Sequence, residues 1–210
     1  MKIIDISVPI NGKIPHWPGG TRAKLRRISK IKKEYGCNES SLDMNLHTGT
    51  HIDAPLHFIS DGKTSNQILL NTFIGDVFVA HLPRVSKISS FELKTIKIPK
   101  GVKKVLFKTS NSLLWNKNIA QFNKKYVGIT ADGALWLAKQ NFKLIGVDYL
   151  SVAGFDETVA VHKILLGKEM VLLEGINLSF VKSGLYGLIC LPISILGTEA
   201  SPVRAVLIKK

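Results

Sequence analysis

Short apolar runs, some alternating with polar residues and some continuous, recur along the 210-residue chain: KIIDISVPI, DVFVAHL, VKKVLFKT, FKLIGVDYLSV, MVLLEGINL, GLYGLICLPISI and PVRAVLI. Their length and β-branched content predict strands. TADGALWLAKQN, between the third and fourth runs, reads as a helix with Thr130 at the N-cap and an apolar stripe of Ala131, Leu135, Leu137 and Ala138. HKILL fits a shorter helical turn closed by Gly167 at C′. Many strands and few helices predict one α/β or α+β domain over residues 1–210, with a mixed β-sheet core.

One stretch combines this patterning with chemistry. From 42 to 58 the even positions are Leu42, Met44, Leu46, Thr48, Thr50, Ile52, Ala54, Leu56 and Phe58. The odd positions are Asp43, Asn45, His47, Gly49, His51, Asp53, Pro55 and His57. A period of two puts every candidate ligand on one face and the apolar residues and threonines on the other. Gly49 and Pro55 interrupt a straight strand, so the expectation is a strand into Gly49 and a kinked continuation. A row of three imidazoles and a carboxylate without a chemical task would incur desolvation costs, and it therefore points to a metal site. His16 and His81 read as hydrogen-bonded structural residues.

Composition narrows the class. With 45% hydrophobic residues the chain can bury one substantial core. No apolar run approaches the ~18 residues that span a bilayer, and MKIIDISVPI lacks the features of a secretory signal. Cys37 and Cys190 lie far apart and form no CxxC, which fits two reduced thiols in a soluble cytoplasmic protein. The net charge of +14, concentrated in TRAKLRRISKIKK, suggests either a nucleic-acid footprint, or a lysine-rich solvated surface that can steer an anionic substrate. Aromatic residues are not interleaved with the basic run, and no zinc-finger or RNP1 pattern occurs, so neither nucleic acid nor membrane is an expected partner.

The segment HTGTHIDAPLHF resembles the signature HxGTHxDAPxHF of the cyclase family of metal-dependent hydrolases, which includes kynurenine formamidases (arylformamidases) and isatin hydrolases. IIDISVPI, PHWPGG, LIGVDYLSV, VHKILLGKEMVLLEGINL and LPISILGTEASPVRAVL extend the resemblance over essentially the whole chain. It implies a swivelling β/β/α architecture, assembled as a homodimer or tetramer. It also implies that His47, His51, Asp53, His162 and Glu174 are metal ligands, for one or two zinc ions or for manganese. His57 matches a non-ligand histidine acting as general acid and base, and Trp17 an aromatic residue at the pocket mouth, placed to reach across a dimer interface. Where the family usually has Asp after WPG, this chain has Gly20, which opens the question of substrate. Asp148, in GVDYL, reads as a carboxylate capping a strand end or nearby turn.

The chemistry is coherent on its own terms. Imidazole and carboxylate make an N/O site suited to zinc or manganese, and a bound ion can activate water against an amide carbonyl. The expected activity is amide hydrolysis of a small-molecule substrate, N-formylkynurenine first, with another cyclic amide or lactone as the alternative. A basic nucleic-acid-binding module and a protein that keeps metal for structure alone are the readings outside the enzyme class.

Overall fold

The computed structural model describes residues 1–32, 36–116 and 121–209; Lys33, at the end of the basic run, lies outside them. All seven apolar runs contain strands: β1 (Lys2–Asp5), β5 (Ile74–His81), β6 (Lys104–Lys108), β7 (Leu144–Val147), β8 (Val171–Glu174), β9 (Gly184–Ile189) and β11 (Val206–Lys209). With β4 (His51–Asp53) and β10 (Ala200–Pro202) they form a nine-stranded sheet in the order β1-β11-β9-β5-β6-β7-β8-β4-β10. Strands β5 to β8 are parallel, and antiparallel pairs flank them on both sides. Strands β2 (Lys24–Ser29) and β3 (Glu39–Asp43) form a separate two-stranded sheet.

The continuous apolar runs are explained by burial on both faces of the parallel block. Val105, Phe107, Ile145, Val147 and Leu172 point to one cluster, which the helices cover through Leu93, Ala134, Leu137, Val161 and Leu165. Leu106, Leu144, Val171 and Leu173 point to the opposite cluster, where they meet Leu207 of β11 and Ile52 of β4. Strands from distant parts of the sheet share that second cluster because the sheet curls around it. This large curled mixed sheet with its four helices is the architecture anticipated from the sequence.

The helices are α1 (Ser90–Thr95), α2 (Ser112–Asn116), α3 (Ala131–Ala138) and α4 (Thr158–Leu166). Thr130 is the N-cap of α3 as expected, but the buried face is Gly133, Ala134 and Leu137, while Leu135 is exposed. Gly133 sits against the Ile88 carbonyl, so close backbone approach decides which face turns inward. The helix at HKILL begins earlier, at Thr158, and Gly167 is a right-handed C-cap with φ −64° rather than a left-handed C′ residue. The left-handed position beyond it belongs to Glu169, with φ 56°. No helix among the described residues is long and apolar enough to cross a membrane.

The joint between β8 and the segment before β4 is tight. Gly175 adopts φ +66°, and a Cβ there would lie 2.0 Å from the Gly49 carbonyl oxygen, whereas Gly197 (φ +76°) faces open space. Gly175→Ala is therefore expected to cost roughly 2–4 kcal/mol in urea unfolding, through backbone strain plus overpacking. Gly197→Ala should cost roughly 1–2 kcal/mol, from conformation alone. Equal losses would show that the close approach to Gly49 does not constrain the fold.

Candidate metal centre

Two neighbouring strands supply the middle of the site. His51 and Asp53 alternate with Ile52 on β4, so both side chains leave the sheet on one side while Ile52 enters the core. In the antiparallel β4–β8 register His51 is directly opposite Glu174. The expected longer strand is not formed. Gly49 adopts φ +70°, Asn45 caps a turn through its side chain to the His47 amide, and Pro55 opens a 3-10 turn, Pro55–His57. The same Gly and Pro that kink the chain swing His47 and His57 back toward Asp53. His162 enters from the middle of α4, more than a hundred residues later.

The groups converge on the Asp53 carboxylate. Its Oδ1 lies 2.9 Å from His47 Nδ1 and 3.5 Å from His51 Nε2; its Oδ2 lies 3.7 Å from His162 Nε2 and 3.9 Å from His57 Nε2. Glu174 stands 3.4 Å from both His51 Nε2 and His162 Nε2. Glu174 accepts a hydrogen bond from the Val152 amide, but among the described residues neither oxygen of Asp53, which is 0% exposed, has a hydrogen-bond partner, and neither does His51 Nε2. His47, Asp53 and His57 form one potential ligand group, and His51, Asp53 and Glu174 another, with Asp53 common to both.

The hydrogen bonds on the outer side of each ring determine which nitrogen faces inward. His51 Nδ1 pairs with the Gly49 carbonyl at 3.0 Å and His162 Nδ1 with the Thr158 carbonyl at 2.7 Å. His47 Nε2 pairs with Glu199 Oε1 at 3.3 Å. In the neutral ring each of these nitrogens must be the N–H, which leaves the other nitrogen with its lone pair toward the carboxylates. Inward lone pairs beside unpaired carboxylate oxygens repel one another unless a cation sits between them. The donor set fits a divalent ion of the zinc or manganese type. The His57 ring differs in having no hydrogen bond among the described residues; it rests edge-on against Phe58 and 4.2 Å, centroid to centroid, from the His47 ring.

A cavity of about 270 Å³ opens onto these groups, walled by Trp17, Phe58 and Leu150, with His16, Gly20 and Asn45 also lining it. Trp17 packs 5.1 Å from the Phe122 ring and 5.4 Å from the Phe155 ring of its own chain. Asp148 is buried at the end of β7 and accepts hydrogen bonds from Thr109 and Ser112, as its capping role requires. Cys37 and Cys190 are free thiols.

Residues 4–153 match the Cyclase family model. The chain belongs to the cyclase family. It is 36% identical to cyclase-like protein 3 of Oryza sativa subsp. japonica over 99% of this chain and 80% of that one. It is 35% identical to a kynurenine formamidase of Bacillus cereus, over 97% of this chain and 96% of the relative. A solved structure described as a potential metal-dependent hydrolase with cyclase activity superposes with a TM-score of 0.85 at 31% identity, covering 98% of this chain and 96% of that chain. Isatin hydrolase A from Labrenzia aggregata shares the fold, with a TM-score of 0.82 at 21% identity over 100% of this chain and 94% of that one.

The six candidate site residues of the cyclase-type signature and second segment (His47, His51, Asp53, His57, His162 and Glu174) lie together, the other five around Asp53. Glu199, paired with His47, was not anticipated, and His16, read from the sequence as a hydrogen-bonded structural residue, lines the cavity. Glu199 lies in GTEASPVR, where an acidic residue beside a strand start gives little local signal.

Burial is the largest influence on these titrations, yet the carboxylates outweigh it at two rings. Burial disfavours charged His51, but Asp53 and Glu174 push its pKa up to about 10. His162 is raised against burial mainly by Glu174. Asp53 is held well below the usual carboxylate range, in spite of burial, by His47 and His51; Glu174 is lowered by His162 and His51 against burial and Asp53. His57 goes the other way, lowered by burial and by the His47 and His162 charges, with Asp53 opposing. The cluster thus favours positive charge, and in metal-free protein protons supply it. Because His51 is raised, its stabilisation of the metal-free fold is complete below the ordinary histidine pKa of about 6.5. It is lost as pH rises through about 10. A divalent ion must displace those protons. At pH 8, zinc added to metal-free protein should release at least about one proton per ion bound, read with an indicator dye in weak buffer. Stoichiometric binding with no proton release would contradict this charge arrangement.

Proposed function

We propose that the chain is a metal-dependent amide hydrolase acting on an aryl formamide, with N-formylkynurenine as the leading candidate. The observation that carries this reading is the division among the histidines. His47, His51 and His162 each have one nitrogen tied outward and one free inward, while the His57 ring is untied at the cavity wall. The 35% identity to a kynurenine formamidase supports the substrate class. His47, His51, Asp53, His162 and Glu174 would hold the metal. Once bound, a zinc or manganese ion supplies Lewis acidity toward a carbonyl oxygen and lowers the pKa of water.

The remaining steps belong to the chain. Trp17, Phe58 and Leu150 provide an apolar wall for the aryl ring, and the small formyl group is the part that fits toward Asp53. His57 Nε2 takes a proton as the water oxygen attacks the formyl carbon. The same nitrogen then returns that proton to the anilide nitrogen as the C–N bond breaks, giving formate and an arylamine. A ring without a fixed hydrogen bond can gain and lose a proton without breaking a structural contact, which suits the task.

None of the described residues lining the cavity is lysine or arginine, and Gly20 offers no side chain. An amino-acid substituent on the substrate would therefore find little charge recognition, so simpler aryl formamides should serve as well as N-formylkynurenine, and a lactam such as isatin is the second reading. His57→Asn is expected to keep its metal, by elemental analysis, and to lose about two to four orders of magnitude in kcat. Loss of metal in that variant would make His57 a ligand. Wild-type kcat/KM should be similar for N-formylkynurenine and plain formanilide, measured with zinc and with manganese. No formamide turnover alongside clear ring opening of isatin would move the activity to the second reading.

A further inference from the structure

Each inward-facing imidazole needs an acceptor behind it, and the three acceptors differ. His51 and His162 are backed by backbone carbonyls, those of Gly49 and Thr158, and both rings are buried. His47 is the half-buried member, with 23% of its side chain exposed, and its acceptor is the carboxylate of Glu199. The geometry on the two sides of the His47 ring is unequal. Nε2 to Glu199 Oε1 satisfies hydrogen-bond geometry at 3.3 Å. Nδ1 lies closer to Asp53 Oδ1, at 2.9 Å, yet neither carboxylate oxygen of Asp53 has a partner in hydrogen-bond geometry among the described residues. Nδ1 is thus near Asp53 without aiming at it, as expected where both atoms are directed to a common third point.

We infer that Glu199 is a positioning residue for the metal centre: it accepts Nε2–H of His47, fixes that tautomer, and keeps the Nδ1 lone pair beside Asp53. This inference rests on the metal-site reading above. The backbone at Glu199 is well placed to hold a side chain still. Its carbonyl accepts the Ala54 amide at 2.8 Å, and the next residue, Ala200, stands opposite Asp53 in the β4–β10 ladder. Just before it, Thr198 is tied to Ser65 through the Ser65 amide and through the two hydroxyls, each at 2.8 Å, and the Gly197 amide donates to Asn66. The strand pair that presents Asp53 therefore also presents the group steering His47. Glu199's side chain makes no other hydrogen bond or ion pair among the described residues, so a structural role elsewhere is not its reason for being there. A carboxylate behind an imidazole also raises the basicity of the inward nitrogen, an effect that a neutral carbonyl gives more weakly.

The test compares Glu199→Ala and Glu199→Gln with wild type by zinc competition against a chelator, together with ring ¹⁵N–¹H spectra of His47 in the zinc-loaded protein. Glu199→Ala should bind zinc about 10- to 100-fold more weakly and lose the single Nε2–H signature of His47. Glu199→Gln, which retains an acceptor oxygen, should recover the tautomer and most of the affinity. The melting temperatures of the metal-free proteins should coincide, separating positioning from folding. Wild-type affinity in Glu199→Ala, an unchanged His47 spectrum, or a Glu199→Gln variant as impaired as Glu199→Ala would overturn the role of Glu199. Failure of wild type itself to bind zinc would instead overturn the metal-site reading.

Discussion

A carboxylate in the protein interior with neither oxygen hydrogen-bonded is a charge without a solvent. Asp53 is in that position, and much of the surrounding structure exists to put it there. The curl of the sheet buries Ile52 and so turns Asp53 and His51 to the other side of β4. The β4–β8 register sets Glu174 against His51, and the β4–β10 register sets Ala200 against Asp53, bringing Glu199 to the outer edge. Desolvating two carboxylates this closely would cost several kcal/mol without compensation. Their neighbours, three imidazoles with lone pairs turned inward, cannot supply that compensation as neutral rings. A shared cation can.

The same arrangement separates holding from proton transfer. Rings tied at the back by Gly49, Thr158 and Glu199 are fixed in orientation and tautomer, which suits ligands. His57 comes from the same thirteen-residue stretch but from the 3-10 turn that Pro55 opens, and its ring makes no hydrogen bond among the described residues, resting against Phe58 and His47. On the reading proposed above, chain geometry over a few residues gives identical side chains two different chemical tasks. Phe122 and Phe155 pack against Trp17, which with Phe58 and Leu150 gives the cavity its apolar wall.

Much of this was legible in the chain because it rests on local periodicity and on one dense motif. Four of the seven strand runs, β5 to β8, were visible because strands of the parallel block bury residues on both faces; β1, β9 and β11, in the antiparallel flank, showed through their short β-branched apolar content. The cluster at His47, His51, Asp53 and His57 was visible because its residue types are chemically distinctive. What escaped depends on tertiary contacts. The buried face of α3 follows from Gly133 packing on the Ile88 carbonyl, not from the apolar stripe that included Leu135. The alternation from 42 to 58 suggested one interrupted strand, yet Gly49 and Pro55 break it into a turn, a three-residue strand and a 3-10 turn. The ligands converge through that folding-back rather than through the pleat alone. Of the exposed pair β2 and β3, the first lies in a basic stretch and the second in a short polar, acidic one, and neither reads as a strand from its apolar content. Glu199 is separated from His47 by 152 residues, and nothing in its immediate sequence marks the pairing.

The most direct test of the dependence on Asp53 is elemental analysis of protein purified without chelators, wild type beside Asp53→Asn. The substitution keeps the size of the side chain, removes its charge and replaces one acceptor oxygen with an NH2 donor. Wild type is expected to carry one or two equivalents of zinc or manganese, and Asp53→Asn, still folded, to carry essentially none. A wild type without stoichiometric metal, or an Asp53→Asn variant that retains it in full, would contradict the view that a cation balances this buried carboxylate.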